Sequence, residues 1–347
     1  MICLLEEKIK SFLNKLFSIE EIKSSETLQL TYILFLISYV TSFFSWDGTG
    51  IALKALCMPH IQDCGHYKSF FPLLPQPYGY SESIFYVYLY SILVLVAYFL
   101  YKKDFLKASI SLLFVFLWKL YIVYGFNITG NYDYYDTILL FVFLFLPNKL
   151  FYLRTTFVFF YFLASTIKIH EGWVAGTYFT SLYNGMPIFP DILVPYLTNI
   201  VILTQMVACW FLLLPKKNPL FKFFIVEFLF FHFYSGTIVN YRYILTSIPP
   251  LILFFLHPDY VPFNRSLKKI LPGVVLLVVL LFGQMIAVSI PGDQKLTLEG
   301  DRYGLYMFEA NHQCVVEATT TFLTKQTPTH YEYYSAVARN RCYPEDF

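Results

Sequence analysis

Runs of about twenty apolar residues recur through most of this chain, and they restrict what it can fold into more than any single motif does. Wound as a helix at about 1.5 Å per residue, such a run matches a hydrocarbon core ~30 Å thick. Lipid offers no hydrogen bonds, so every backbone N–H and C=O must find a partner within the protein. Recurrent runs of this length therefore imply an all-α, polytopic helical membrane bundle. The short alternating segments of a membrane β-barrel do not recur in the sequence. Composition agrees: 57% of the 347 residues are hydrophobic and 14% charged, whereas soluble domains carry roughly 25% charged residues. The mean hydropathy is +0.55. A formal net charge of +2 is too small to point to a nucleic-acid partner.

Nine spans are expected, at about 28–46, 84–101, 105–124, 134–147, 150–167, 192–214, 220–240, 243–257 and 270–290. The fourth and eighth are short for a membrane, which suits re-entrant segments or helices buried among their neighbours. Three regions follow: an amphipathic arm (1–27), the transmembrane domain (28–290) and a tail (291–347). The arm is charged and lacks a small-residue cleavage site after a short apolar core, so it reads as a retained surface helix and not a signal peptide. The tail shifts to Thr, Glu, Arg and Tyr and alternates over Cys314–Thr321, as the start of a small β-rich segment would.

Charge orients the chain. The connections 101–107, 147–155, 215–222 and 257–269 hold eleven basic residues, among them Lys149 and Arg154, and the arm adds Lys8, Lys10, Lys15 and Lys23. The alternate connections are poorer in Lys and Arg. The positive-inside rule then puts the N-terminus in the cytoplasm and, with nine spans, the C-terminus outside. The membrane would be a bacterial inner membrane, or the endoplasmic reticulum in a eukaryote. Cys57, Cys64, Cys314 and Cys342 fall on the outer, oxidising side, where they are disulfide candidates with three possible pairings. Their spacing is not that of a zinc site, and no metal site is expected.

Polar residues that are costly to bury collect toward the outer half. Lys168, His170, Glu171 and Trp173 stand together where the fifth span ends. Asp133 begins the fourth span, beside Tyr132, and Glu227 and His232 lie within the seventh, with Arg242 beyond its outer end. Ionisable groups in such places are often functional. The plainer alternative has Lys168 snorkelling toward the headgroups while Trp173 anchors the helix at the interface. His232, on that view, is a hydrogen-bonding residue between helices.

The segment Ile167-Lys168-Ile169-His170-Glu171-Gly172-Trp173-Val174-Ala175-Gly176 resembles the lysine-x-x-x-x-tryptophan-x-x-glycine signature of the vitamin K-dependent gamma-carboxylase superfamily. The membrane part of that superfamily is the horizontally transferred transmembrane (HTTM) domain. Phe230-Phe231-His232-Phe233 is similar to its phenylalanine-histidine in a later span, and Tyr303-Gly304-Leu305-Tyr306-Met307-Phe308 to the segment after its last span. The resemblance covers roughly residues 28–310. It implies that Lys168 is the base that deprotonates vitamin K hydroquinone, with a reduced quinone as cofactor or substrate and His232 and Tyr132 beside it. Asp133, His170, Glu171, Trp173, Glu227 and Arg242 would then line the substrate site. Two departures accompany it. Tyr132, in Asn131-Tyr132-Asp133-Tyr134, stands where the family has a histidine, and the chain ends at Phe347, before the large β-rich region that holds the carboxylases' protein substrate. The expected function is therefore a carboxylase- or quinol-epoxidase-like, lyase-like membrane enzyme acting on a quinol or lipid-like substrate. Membrane lipid is the expected partner, with a small peptide or protein as a further substrate. A non-catalytic or peptide-maturation factor of the toxin-processing kind and a scaffold subunit remain as alternatives.

Overall fold

The computed structural model describes residues 2–48, 82–120, 131–180, 186–238, 242–257, 263–289, 303–305, 315–320 and 329–334. The chain is predominantly helical. It divides into two compact units, one of residues 1–159 and 210–278, the other of 160–209 and 279–347.

Among the described residues, each of the nine apolar runs falls largely on helix. In chain order the helices are α1 (Ile2–Leu16), α2 (Ile19–Lys23), α3 (Glu26–Gly48), α4 (Glu82–Tyr101), α5 (Phe105–Lys119), α6 (Asn131–Phe145), α7 (Lys149–Thr166), the short α8 (Glu171–Val174) and α9 (Thr177–Thr180), α10 (Val194–Met206), α11 (Pro219–Ile238), α12 (Arg242–Leu251) and α13 (Leu267–Ser289). Among the described residues two helical segments, Pro219–Thr237 and Leu267–Ser289, are long and apolar enough to cross a membrane. The other expected spans coincide with helices that fall short in length, continuity or apolar content. The sixth is broken: α10 gives way to a 3-10 stretch, Ala208–Leu213. In the eighth, Pro249 and Pro250 lie inside α12, and the helix widens into a π turn over Ile252–Leu256. Proline supplies no N–H to the helical ladder, and this break in the ladder coincides with the change of winding.

In the first unit, α3 is fixed by Tyr32, whose hydroxyl donates to the Phe105 carbonyl (3.2 Å) and lies 2.5 Å from Ser109 Oγ. The Tyr32 ring meets Phe143 edge-on at 4.8 Å, so α3, α5 and α6 share one aromatic seam. The arm and the basic connections gather at one end of this unit. Glu21 on α2 accepts the backbone N–H groups of Asn148 (3.2 Å) and Lys149 (3.1 Å), satisfying orphan donors at the start of α7. Asn148, with φ 55°, exchanges two hydrogen bonds with the Asn264 backbone. Thr27 Oγ1 lies 3.0 Å from His257 Nδ1, and Lys216 donates to the carbonyls of Leu256 (3.2 Å) and His257.

Lys149, counted above with the basic residues of the α6–α7 connection, is not a loop side chain. It is completely buried, and its ammonium donates to the carbonyls of Phe143, Leu144 (3.2 Å) and Leu146 (3.3 Å) at the end of α6. A helix C-terminus leaves carbonyls without intrahelical partners and carries partial negative charge, so a buried cation finds both acceptors and charge compensation there. Arg154 likewise lies within α7 and donates to the Phe254 carbonyl. Neither side chain belongs to a loop.

In the second unit, the segment Tyr303–Leu305 lies against the end of α13. Gln284 donates to the Leu305 carbonyl (2.9 Å) and accepts its N–H (2.8 Å). Gly283 permits the approach: a Cβ there would stand 2.2 Å from the Tyr303 carbonyl oxygen. Strands β1 (Val315–Thr320) and β2 (Thr329–Tyr334) pair antiparallel, from Val315 opposite Tyr334 to Thr320 opposite Thr329. The four disulfide candidates, Cys57, Cys64, Cys314 and Cys342, lie outside the described residues.

Candidate functional site around Lys168

Helix α7 ends in a turn whose carbonyls are taken up by side chains. Ser165 donates to the Phe162 carbonyl (2.6 Å), Thr166 to Leu163 (2.6 Å) and the Lys168 amine to Ala164 (2.9 Å). Short hydroxyl side chains compete well for such orphan acceptors, and this makes the helix stop here without a glycine cap. The backbone then tightens: the Lys168 N–H reaches the Ser165 carbonyl at 3.0 Å and the His170 N–H reaches Lys168 at 3.0 Å. The His170 carbonyl accepts from Trp173 (3.2 Å) and Val174 (2.9 Å), which starts α8 and swings the indole back toward the lysine.

Two features hold the turn in place. Gly176 has φ +74°, and a Cβ on it would come within 2.9 Å of the Pro195 nitrogen, so no other residue fits without strain. Asn199 on α10 donates to the carbonyls of Val174 (2.8 Å) and Pro195 (2.7 Å). Trp173, only 5% exposed, is therefore not an interfacial anchor. It packs edge-on against Phe179 at 5.2 Å, in a small core completed by Val194, Met186 and Val201.

Lys168 does not snorkel. It is 7% exposed, folded back on its own helix end, with its amine 5.4 Å from the centre of the Trp173 ring. The helix C-terminus and the ring face both favour an ammonium. Burial opposes them, because a charge removed from water costs more than these two contacts return, and it pulls the amine down from 10.5 to about 7. Near neutrality this nitrogen therefore exists in both forms, able to accept a proton and to give it back.

The other expected site residues are distributed as follows. His170 is half-buried, and Glu171 opens α8 with its side chain outside the description. Lys168, His170, Glu171 and Trp173 belong to the second unit. Tyr132 and Asp133 lie in the first turn of α6, and Arg242 begins α12; their side chains are likewise outside the description. Glu227 is half-buried on α11, and His232 on the same helix is buried, its ring 5.1 Å from that of Phe231. Five residues apart, these two occupy different faces of the helix. All five of these residues belong to the first unit. Among the described residues, no three His, Cys, Asp or Glu side chains gather as metal ligands would. Sequence reasoning missed Asn199; its signal is an amide, one of two with Gln205, within the apolar run of α10.

Comparison of the chain with protein-family models, with curated proteins and with solved structures finds no match.

Proposed function

We propose that this protein is an HTTM-type, nine-span integral membrane protein in which Lys168 acts as a base toward a quinol or another lipid-like hydroxyl compound. The N-terminus would be cytoplasmic, and Lys168, just beyond the fifth span, would face the outer side. The spanning reading is supported by the coincidence of apolar runs with helices, and the orientation by the gathering of basic connections and the arm at one end of the first unit.

The observation that carries the catalytic reading is the setting of the Lys168 amine: buried, on one carbonyl and beside an aromatic ring, where burial pulls its pKa down. A general base works best when its pKa is near the operating pH, and an amine in this environment meets that condition without a carboxylate or a metal to activate it. A reduced quinone would supply an acidic hydroxyl and reducing equivalents. The aromatic and amine groups here suit such a ring, with Trp173 presenting apolar surface and Lys168 holding the proton. Tyr132 in the place of the family's histidine would leave Lys168 as the principal proton acceptor.

The test is oxygen-dependent consumption of vitamin K hydroquinone by the protein in lipid vesicles. Lys168→Arg and Lys168→Ala should both accumulate as folded protein and both be inactive, because arginine stays protonated and alanine offers no base. Full turnover by Lys168→Arg, or none by the unaltered protein, refutes the proposal.

A further inference from the structure

The first helix presents an apolar stripe that the rest of the described structure leaves uncovered. Leu5, Ile9 and Phe12, spaced four and three residues apart, lie on one face of α1 and are 59%, 50% and 64% exposed. Lys8 and Lys15, both exposed, line one edge of that stripe, three or four residues from Leu5 and Phe12. The base of the helix, by contrast, is firmly seated. Phe17 is buried with its ring 6.2 Å from that of Phe145, Ile19 and Ile22 are buried, and Glu21 holds the start of α7. The apolar stripe is therefore displayed from the end of the unit where the basic connections meet. Lys102, Lys103 and Lys107 belong to that end through the packing of α2 on α5, and Lys216 through its bond to the His257 carbonyl.

We infer that α1 is an in-plane anchor that inserts Leu5, Ile9 and Phe12 between the lipids of the leaflet at this end and binds anionic phospholipid through Lys8 and Lys15. The inference rests on the spanning reading above. An amphipathic helix with lysines beside its apolar face lies in the plane of the interface, its apolar side sunk about 5–10 Å into the headgroup and acyl boundary. The sign of the surrounding charge selects the lipid: an end this rich in Lys attracts an anionic surface. Ile33 and Ile37 on α3 are 47% and 48% exposed, so the span offers lipid an apolar surface as well.

The full-length protein is reconstituted in vesicles of phosphatidylcholine alone, or mixed equally with phosphatidylglycerol. An environment-sensitive fluorescent amino acid replaces Phe12 or, as a control off the stripe, Ser11, about 100° round the helix from Phe12. With the mixed lipid, emission at position 12 should shift to the blue and be quenched by brominated acyl chains, whereas position 11 should show neither effect. Lys8→Gln with Lys15→Gln should lower the partition of α1 into the anionic bilayer by about fivefold per lysine. Equal emission at positions 11 and 12 overturns the inference. So does a blue shift at position 12 without lipid quenching, which assigns the stripe to a protein surface instead. Flotation of the chain with vesicles after alkaline washing reads the spanning reading separately. A triple Leu5→Ser, Ile9→Ser, Phe12→Ser chain should still float but lose the quenching of a probe at Leu16. If the unaltered chain fails to float, both readings fall; if it floats without quenching at position 12, only the anchor does.

Discussion

Replacing Lys168 by methionine should stabilise the protein at acid pH and change little at alkaline pH. The sign follows from the direction of the shift. Burial lowers the folded-state pKa from the ordinary 10.5 to about 7, so between those values the unfolded chain holds a proton that the folded chain has released. Folding stability therefore rises with pH across this window, by about 1.4 kcal/mol per pH unit at most. Below pH ~7 both states are protonated and the folded state bears the whole cost of the buried ammonium, on the order of 5 kcal/mol. Methionine keeps a similar length of apolar chain and removes the charge. It also gives up the hydrogen bond to Ala164, worth about 1 kcal/mol. The net expectation is that Lys168→Met gains several kcal/mol at about pH 6 and is near neutral, or slightly destabilised, at about pH 10. Thermal unfolding in detergent, followed by near-ultraviolet circular dichroism for both proteins across the pH range, measures the difference directly. Parallel profiles would mean that Lys168 keeps an ordinary lysine pKa, and the argument for a base at this position would fail with them.

Three further outcomes are expected. Lys149→Met should destabilise the fold by about 1–3 kcal/mol at about pH 10, read as a lowered unfolding midpoint in the same detergent assay, because the carbonyls of Phe143, Leu144 and Leu146 lose their donor inside a dry interior; since burial lowers this amine to about 7 as well, that cost should shrink as the pH falls toward 7. Gly176→Ala should cost about 1–3 kcal/mol and loosen Trp173, measurable as a red shift in tryptophan emission, since the backbone there is left-handed and Pro195 closes the space a methyl group needs. Reporter domains fused after Lys217 and after Gly300 should register on opposite sides of the membrane, the first cytoplasmic; registration on the same side would refute the nine-span orientation.

The helical segments were legible because apolar length and periodicity are local properties. The runs over 28–46, 84–101 and 270–290, for instance, match α3, α4 and α13 to within a few residues. Their interruptions were legible only in part. Pro249-Pro250 is a visible reason for a helix to change its winding, but Ala208–Leu213 contains no Gly or Pro, and its 3-10 geometry follows from packing that the sequence does not display. Loop charge was a coarser guide. It counted Lys149 with the other lysines of the connections, because a composition window cannot tell a lysine beside a helix end from one beside water.

Lys149 and Lys168 also show what the sequence did not display, namely that both amines are buried. Both flank α7, both are buried, and both turn their amines toward the carbonyl end of a helix. Their immediate neighbours, Asn148 and Leu150 or Ile167 and Ile169, do not reveal that shared burial. The difference lies in the acceptors. Lys149 meets three carbonyls, so all three protons of an ammonium are used, and removing one would turn a lone pair toward a carbonyl oxygen. Lys168 meets one carbonyl and the face of an indole, and losing a proton leaves no acceptor unmatched. Burial lowers both amines, so the acceptors alone distinguish them, and the first arrangement commits its lysine to the carbonyls at the end of α6 as part of the fold. The second lets the nitrogen change state, which a general base requires, and on this ground Lys168 is the lysine to which chemistry is assigned.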